Sequence, residues 1–229
     1  MMQTVIKTQP RVLSANSCEA LTASLIVQLH NGSKLMIDRN DIFTTAGASA
    51  YIDLAEGSKE LYIERALETN PGMVVHYAGL IGLVTRRLFL MVAHLHGKTP
   101  NPYAPQHMVL GICGFHIFDS RSNGHAGSIH VDKVHELINW PHKVIEYGTY
   151  TLPISIPNCG AGLNIWAEGA DPETTKFEFI KYELGCLYIH TGDMYHQIAN
   201  CGDIGEGEYR ITMQGHYVLL EDGSLTTYF

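Results

Sequence analysis

The sequence predicts an α+β fold in which helices from the first part pack on one sheet built by the second. Three observations carry this. A length of 229 residues suits one sizeable domain and is short for two. Through residue 105, apolar residues recur at helical spacing between cap and stop signals. From residue 106 onward, short runs rich in Val, Ile, Thr, Tyr and Phe alternate with Gly, Pro and Asn breaks, the pattern of a sandwich or barrel. No repeat, low-complexity segment or linker divides the two parts. Residues 1–229 therefore read as one domain, with 1–105 a mainly helical part lying on a strand-built core over 106–229.

The elements follow in order. "SCEALTASLIVQLH" predicts a helix capped by Ser14 or Ser17 and stopped at Asn31-Gly32, although Asn-Gly also suits a hairpin turn. A strand is expected over Lys34–Asp38. "SKELYIERALET" predicts a second helix. A third should start at Asn70 as cap with Pro71 in its first turn, run to Leu95 and end at Gly97 and Pro100. Seven strand runs are expected later: "HMVLGICGFHIF", "HKVIEYGTYTLPISI", "AGLNIWA", "TKFEFIKY", "CLYIHT", "YRITMQGHYVLL" and "SLTTYF".

Composition excludes several functions. The apolar fraction of 45% and charged fraction of 17% belong to an ordinary globular core. A formal charge of −8, with no basic run longer than Arg86-Arg87, argues against a nucleic-acid partner. Residues 73–95 are apolar enough to raise the question of a membrane span, but those two arginines sit inside the run, so none is expected. The N-terminus has no apolar stretch of signal-peptide length. Five scattered cysteines without a CxxC pair fit reduced thiols, and the chain reads as cytoplasmic. There is no GxSxG, and "GDIGEG" at 202–207 lacks the spacing and context of a dinucleotide loop.

"GSIHVDKVH" places His130, Asp132 and His135 close together, with His125 upstream. Thirteen histidines and one acid per ten residues give roughly one His-x-acid pair by chance, and one is present, so the pair alone decides nothing. Its strand context adds weight, because positions i and i+2 share a face and let His130 and Asp132 converge. "GCLYIHTGDMYHQIA" reads as strand, Thr-Gly-Asp turn and second strand start, with His196 the candidate third ligand and His190 a wall residue. In "EYRITMQGHY", alternation puts Arg210, Thr212, Gln214 and His216 on one face. A mid-strand arginine on such a face is costly to bury without an anionic partner.

The series His130-x-Asp132, His196, Arg210-x-Thr212 resembles the signature of the 2-oxoglutarate- and iron(II)-dependent dioxygenases. The 63 residues between Asp132 and His196, and the 13 between His196 and Arg210, fit that family. The resemblance covers residues 108–218. It implies a double-stranded β-helix, or jelly-roll, core with the N-terminal helices on one sheet. It further implies that His130, Asp132 and His196 are the catalytic iron(II) ligands, leaving three open positions for 2-oxoglutarate and O2. Arg210 would pair with the distal carboxylate of 2-oxoglutarate, with Thr212 adding a hydroxyl. Halogenases related to this family carry Gly or Ala where Asp132 stands, so its presence favours hydroxylation, or another oxidation such as desaturation.

The expected substrate is a small polar molecule, an amino acid or natural-product intermediate, giving succinate and CO2 as coproducts. Candidate substrate contacts are Asn164, Trp166, Gln214 and His125, with Tyr195 also beside the ligands. A homodimer is compatible with the sequence. Two alternatives stand beside this reading. One is a cupin-type metal enzyme without 2-oxoglutarate, for which "HLH" at 94–96 supplies a histidine pair outside the barrel region. The other is a non-enzymatic jelly-roll binding module.

Overall fold

The computed structural model describes residues 7–9, 11–97, 99–102, 108–123, 125 and 127–229. Residues 1–6, part of the stretch weighed as a leader, the His107 start of one strand run and the side chain of His96 in the "HLH" pair lie outside the described residues.

Helix α1 spans Ala15–His30, and the Ser14 hydroxyl accepts from Ser17 N at 3.1 Å as its N-cap. The helix stop prevails over the hairpin at Asn31-Gly32: Gly32 takes φ +62 and its N–H returns to Leu29 O. Helix α2 corrects the expected pair of helices. It runs without a break from Lys59 to His96, with Pro71 inside it. Asn70 does not cap; its amide donates to Leu110 O at 2.8 Å and its carbonyl accepts from Ile112 N at 3.1 Å. Pro71 removes the donor to Leu67, and Leu67 is 58% exposed, so water can satisfy the freed carbonyl and the helix continues.

The buried positions of α2 are Tyr62, Ala66, Thr69, Met73, Tyr77, Leu80, Val84, Leu88 and Val92, a single stripe at three- and four-residue spacing. By length and composition alone, the helix is long and apolar enough over Lys59–His94 to cross a membrane; 28% of its apolar window is buried. A π-helical turn over Ala50–Ala55 precedes it.

The strands are β1 (Lys7–Gln9), β2 (Met36–Arg39), β3 (Phe43–Ala46), β4 (Asn101–Pro102), β5 (Gly114–Phe118), β6 (Val144–Ser155), β7 (Gly162–Ile165), β8 (Glu178–Lys181), β9 (Leu187–Thr191), β10 (His196–Ile198), β11 (Arg210–Leu220) and β12 (Ser224–Tyr228). A large sheet has the order β1-β9-β6-β11-β5-β3-β2, with β12 paired to both β11 and β4. A small antiparallel sheet has the order β10-β7-β8, and an isolated bridge between His130 and His196 extends it beyond β10.

Period-two alternation sorts the central strands of the large sheet. Phe115 and Ile117 of β5, Tyr150, Leu152 and Ile154 of β6, and Ile211 and Met213 of β11 point to the helix side, where they join Leu25 of α1 and Met73, Tyr77 and Val84 of α2 in the principal core. The intervening residues His116, Thr149, Thr151, Arg210, Thr212, Gln214 and His216 line a cavity of about 350 Å³ on the other face. The fold thus sets one apolar and one polar face on the same three strands.

Candidate metal centre

His130, Asp132 and His196 come together. One ligand atom from each lies within 4.8 Å of the others, and among the described residues this is the one such group of three. The backbone arranges it. His130 N donates to His196 O at 3.1 Å and His196 N to His130 O at 2.9 Å. In place of the expected strand, residues 130–132 form only the single bridge at His130, and Asp132 N donates to Gly192 O at 3.0 Å, which holds the turn after β9 against the Asp132 segment. Only glycine permits that approach: a Cβ on Gly192 would stand 2.8 Å from Asp132 O and would strike the Tyr147 ring.

The donor set suits a metal. His130 Nδ1 contacts Ser128 O at 2.9 Å, and His196 Nδ1 contacts Met194 O at 3.0 Å. A carbonyl only accepts, so Nδ1 carries a proton in both rings and Nε2 is the atom left to face a metal. His196 Nε2 stands 3.2 Å from Asp132 Oδ2, and His130 Nε2 stands 3.7 Å from Asp132 Oδ1. The Thr149 hydroxyl donates to Asp132 Oδ2, and its oxygen lies 3.2 Å from His216 Nδ1. Burial pushes the Asp132 carboxyl upward, but the neighbouring His196, His216 and His130 outweigh it and hold the acid ionised. Burial lowers the His196 pKa, but Asp132 outweighs it and raises it, so a metal would displace a proton from His196 Nε2. Two such nitrogens and one carboxylate with an oriented outer shell match the two-histidine, one-carboxylate iron site.

Across the cavity, Arg210 is 7% exposed. Its guanidinium donates to Ala199 O at 3.3 Å and Gly162 O at 2.9 Å, while Nε has no partner. Its Cζ lies 5.6 Å from the Tyr182 ring centroid and 5.7 Å from that of Phe118. Among the described residues no carboxylate pairs with it, and burial lowers its pKa from the usual arginine value. A buried cation in this state is complementary to an anion entering the cavity.

Thr212, Gln214, His125 and His216 also line the cavity. Asn164 and Trp166 do not. On β7 the side chain of Leu163 faces the cavity, so its neighbour Asn164 turns away and bonds Gln197 at 3.3 Å. Trp166 is buried elsewhere, with its indole N–H on Thr175 O at 3.0 Å and its ring edge-on to Phe177. Tyr195 is 36% exposed and is not part of the lining. His135 stacks on Tyr147 with centroids 3.7 Å apart, outside the cavity.

The cavity is also lined by residues that carry no motif in the sequence. His116 lies opposite Thr212 in the β5–β11 register; burial and the nearby Arg39 and Arg210 hold its pKa down to about 3. Thr149 of β6 is another; it lies between His216 of β11, on the expected polar face, and His190 of β9, the expected wall residue, and the three form a polar rung beneath Asp132. The alternating threonines of "TYTLP" in β6 carried a signal for this face. Tyr51, on the π-helical turn, stacks against His130 with centroids 4.6 Å apart, and nothing local in the sequence announces that contact.

No family model and no curated protein sequence matches the chain. Solved structures match in fold. The non-heme alpha ketoglutarate dependent epimerase SnoN from nogalamycin biosynthesis aligns at TM-score 0.52 and 11% identity over 92% of this chain and 76% of that one. SnoN has also been solved in complex with Fe3+, alpha ketoglutarate and nogalamycin RO. An N-substituted L-amino acid dioxygenase from Burkholderia ambifaria AMMD, in complex with alpha-KG, aligns at TM-score 0.51 and 16% identity over 80% and 77% of the two chains. A prolyl hydroxylase from Trichoplax adhaerens, in complex with a hypoxia inducible factor peptide fragment, aligns at 0.50 and 12% over 96% and 86%. At these identities the likeness is one of fold: the chain shares the antiparallel architecture of iron- and 2-oxoglutarate-dependent oxygenases.

Proposed function

We propose that the chain is a non-haem iron(II)/2-oxoglutarate-dependent oxygenase that hydroxylates a C–H bond of a small polar molecule. The observation that carries this reading is the presence, in one cavity, of the His130–Asp132–His196 cluster and the Arg210 guanidinium, which has no carboxylate partner among the described residues. The fold neighbours solved with alpha ketoglutarate, and SnoN with Fe3+, support the same cofactors here. In chain order, strands alternate between the sheets: β5, then the His130 bridge, β6, β7 and β8, β9, β10, β11. This order supports a double-stranded β-helix core.

His130, Asp132 and His196 would hold the iron. When bound, iron(II) with 2-oxoglutarate and O2 supplies the oxidising power that inserts oxygen into a C–H bond and leaves succinate and CO2. The chain's own contribution is placement. Arg210, with Thr212 beside it on β11, anchors the distal carboxylate of the keto acid, so that its other end is directed at the three ligands. The Thr149 hydroxyl orients Asp132, and the two Nδ1–H bonds fix the imidazole planes. The Phe118 and Tyr182 rings cover the guanidinium and keep water from competing for it.

A cupin-type enzyme or a binding module without 2-oxoglutarate would leave the Arg210 charge buried without an anion. The deciding experiment is anaerobic addition of iron(II) and 2-oxoglutarate. A weak visible charge-transfer band is expected, followed by succinate release in a substrate screen. Absence of both the band and keto-acid binding rejects the reading.

A further inference from the structure

Cys159 and Cys201 stand on two loops that touch beside Arg210. One loop follows β6 and the other follows β10. β10 pairs with β7 so that Ile198 faces Leu163, and Ala199 N donates to Gly162 O at 3.1 Å. Continued outward, this register sets Cys201 opposite Gly160 and Gly202 opposite Cys159. The space at the two glycines agrees: a Cβ on Gly202 would lie 3.4 Å from Cys159 Cβ, and one on Gly160 would lie 3.8 Å from Cys201 Cβ. Gly160 and Gly202 have positive φ, +94 and +109 respectively, so the segments depart from strand geometry; both cysteines line the cavity.

Both thiols are free and partly exposed. Their contacts are weak ones to carbonyls: Cys159 Sγ to Gly160 O at 3.7 Å and Cys201 Sγ to Ala199 O at 3.9 Å. Burial and then the nearby Cys201 raise the Cys159 pKa, while Arg210 lowers it, which is the behaviour of two thiols sharing one corner with the guanidinium. The carbonyls that seat Arg210, Gly162 O and Ala199 O, are three residues from Cys159 and two residues from Cys201. Covalent joining of the thiols would act on the two short segments that carry that seat.

We propose that Cys159 and Cys201 form an oxidation site in which a hydroperoxide converts the pair to a disulfide and loosens the hold of Arg210 on its anion. The consequence for 2-oxoglutarate rests on the function proposed above; the disulfide itself does not. One thiolate attacks the peroxide O–O bond, giving a sulfenic acid and releasing water from hydrogen peroxide. The second thiolate attacks the sulfenic sulfur, the S–S bond forms, and hydroxide leaves as water with the thiol proton. The two thiols lose two electrons and two protons, and the peroxide is reduced to two waters. A dithiol reductant reverses the change.

The test uses the full chain, reduced, desalted and loaded with Mn(II) in place of redox-active iron. It is treated with stoichiometric hydrogen peroxide, alkylated and mapped by mass spectrometry. A Cys159–Cys201 linked peptide is expected, removed by dithiothreitol and absent from Cys159→Ser. Calorimetric titration of 2-oxoglutarate should give a Kd at least about tenfold higher after oxidation, restored by dithiothreitol and insensitive to peroxide in Cys201→Ser. Oxidation without that linked peptide, or a linked peptide with unchanged Kd, overturns the proposal. A reduced chain that fails to bind 2-oxoglutarate defeats the oxygenase reading instead, while the peptide map still decides the pairing.

Discussion

His130 and His196 exchange both backbone hydrogen bonds, at 3.1 and 2.9 Å, although 65 residues separate them in the chain. Their ring centroids lie 4.3 Å apart. The site is therefore set by main-chain pairing before any metal arrives. His196→Ala should keep the bridge, because its backbone groups remain, yet lower affinity for iron(II) by at least about a hundredfold. Metal analysis beside circular dichroism checks this. Asp132→Ala should abolish substrate-dependent turnover, and full turnover in that variant would remove Asp132 from the site.

Thr149 acts one step further out. Its hydroxyl donates to Asp132 and its oxygen faces His216 Nδ1. Thr149→Val keeps the shape and the strand preference but removes the donor. Iron(II) affinity should fall by about ten- to a hundredfold, with little change in the binding of 2-oxoglutarate to protein saturated with metal. Competition against a calibrated chelator measures it.

Arg210 should show opposite effects on stability and ligand binding. The guanidinium is buried without an ion-pair partner among the described residues, so Arg210→Met should stabilise the ligand-free chain by about 1 kcal/mol in urea unfolding. The same variant should lose 2-oxoglutarate binding by about a hundredfold or more. Arg210→Lys should rescue little, because a single ammonium cannot match two carboxylate oxygens in the guanidinium's fork. A destabilised Arg210→Met chain would mean that the present contacts already satisfy the charge.

The sequence made the strand half of the fold legible because one face of each central strand is apolar and the other polar. The alternation in "RITMQGHY" foretold which side of β11 carries Arg210, Thr212, Gln214 and His216. It misled at Asn164 and Trp166, where a polar and an aromatic residue look like site residues but β7 turns Asn164 away from the cavity. Pro71 and Asn70 imitate a helix start, and only tertiary bonds from Asn70 to the 110–112 segment reveal a continuous helix. Tyr51 was illegible for a similar reason: its place against His130 depends on a π-helical turn held by residues remote in sequence.

Acid should weaken the fold through its buried neutral histidines. Burial together with Arg39 and Arg210 holds His116 down to about 3, and burial with His196 does the same for His190. In the unfolded chain each titrates near the ordinary histidine value of about 6.5. Between these values the unfolded state binds more protons, so the contribution is complete above the higher value and is lost as pH falls towards the lower. The slope is about 1.4 kcal/mol per pH unit for each group. Urea unfolding across that window should show the loss, and His116→Gln should flatten it. A pH-independent midpoint across that window would mean that these rings titrate in the fold as they do in the unfolded chain.

A buried ionic clamp holds the π-helical turn that carries Tyr51. Asp53 is fully buried and takes Arg39 Nη1 at 2.6 Å and Nη2 at 3.0 Å, Ser49 N at 2.8 Å, and Arg65. Arg39 also donates from Nε to Thr45 at 2.9 Å, so one carboxylate ties β2, β3, the π-helical turn and α2 together. Asp53→Asn keeps the volume but leaves Arg39, itself 7% exposed, without a counter-charge. The cost should be about 3–5 kcal/mol in urea unfolding. Adding Arg39→Met should recover part of that loss, because an apolar replacement removes the stranded charge. If the double variant is less stable than Asp53→Asn alone, Arg39 contributes through its packing and its bond to Thr45, and the electrostatic account of the clamp fails.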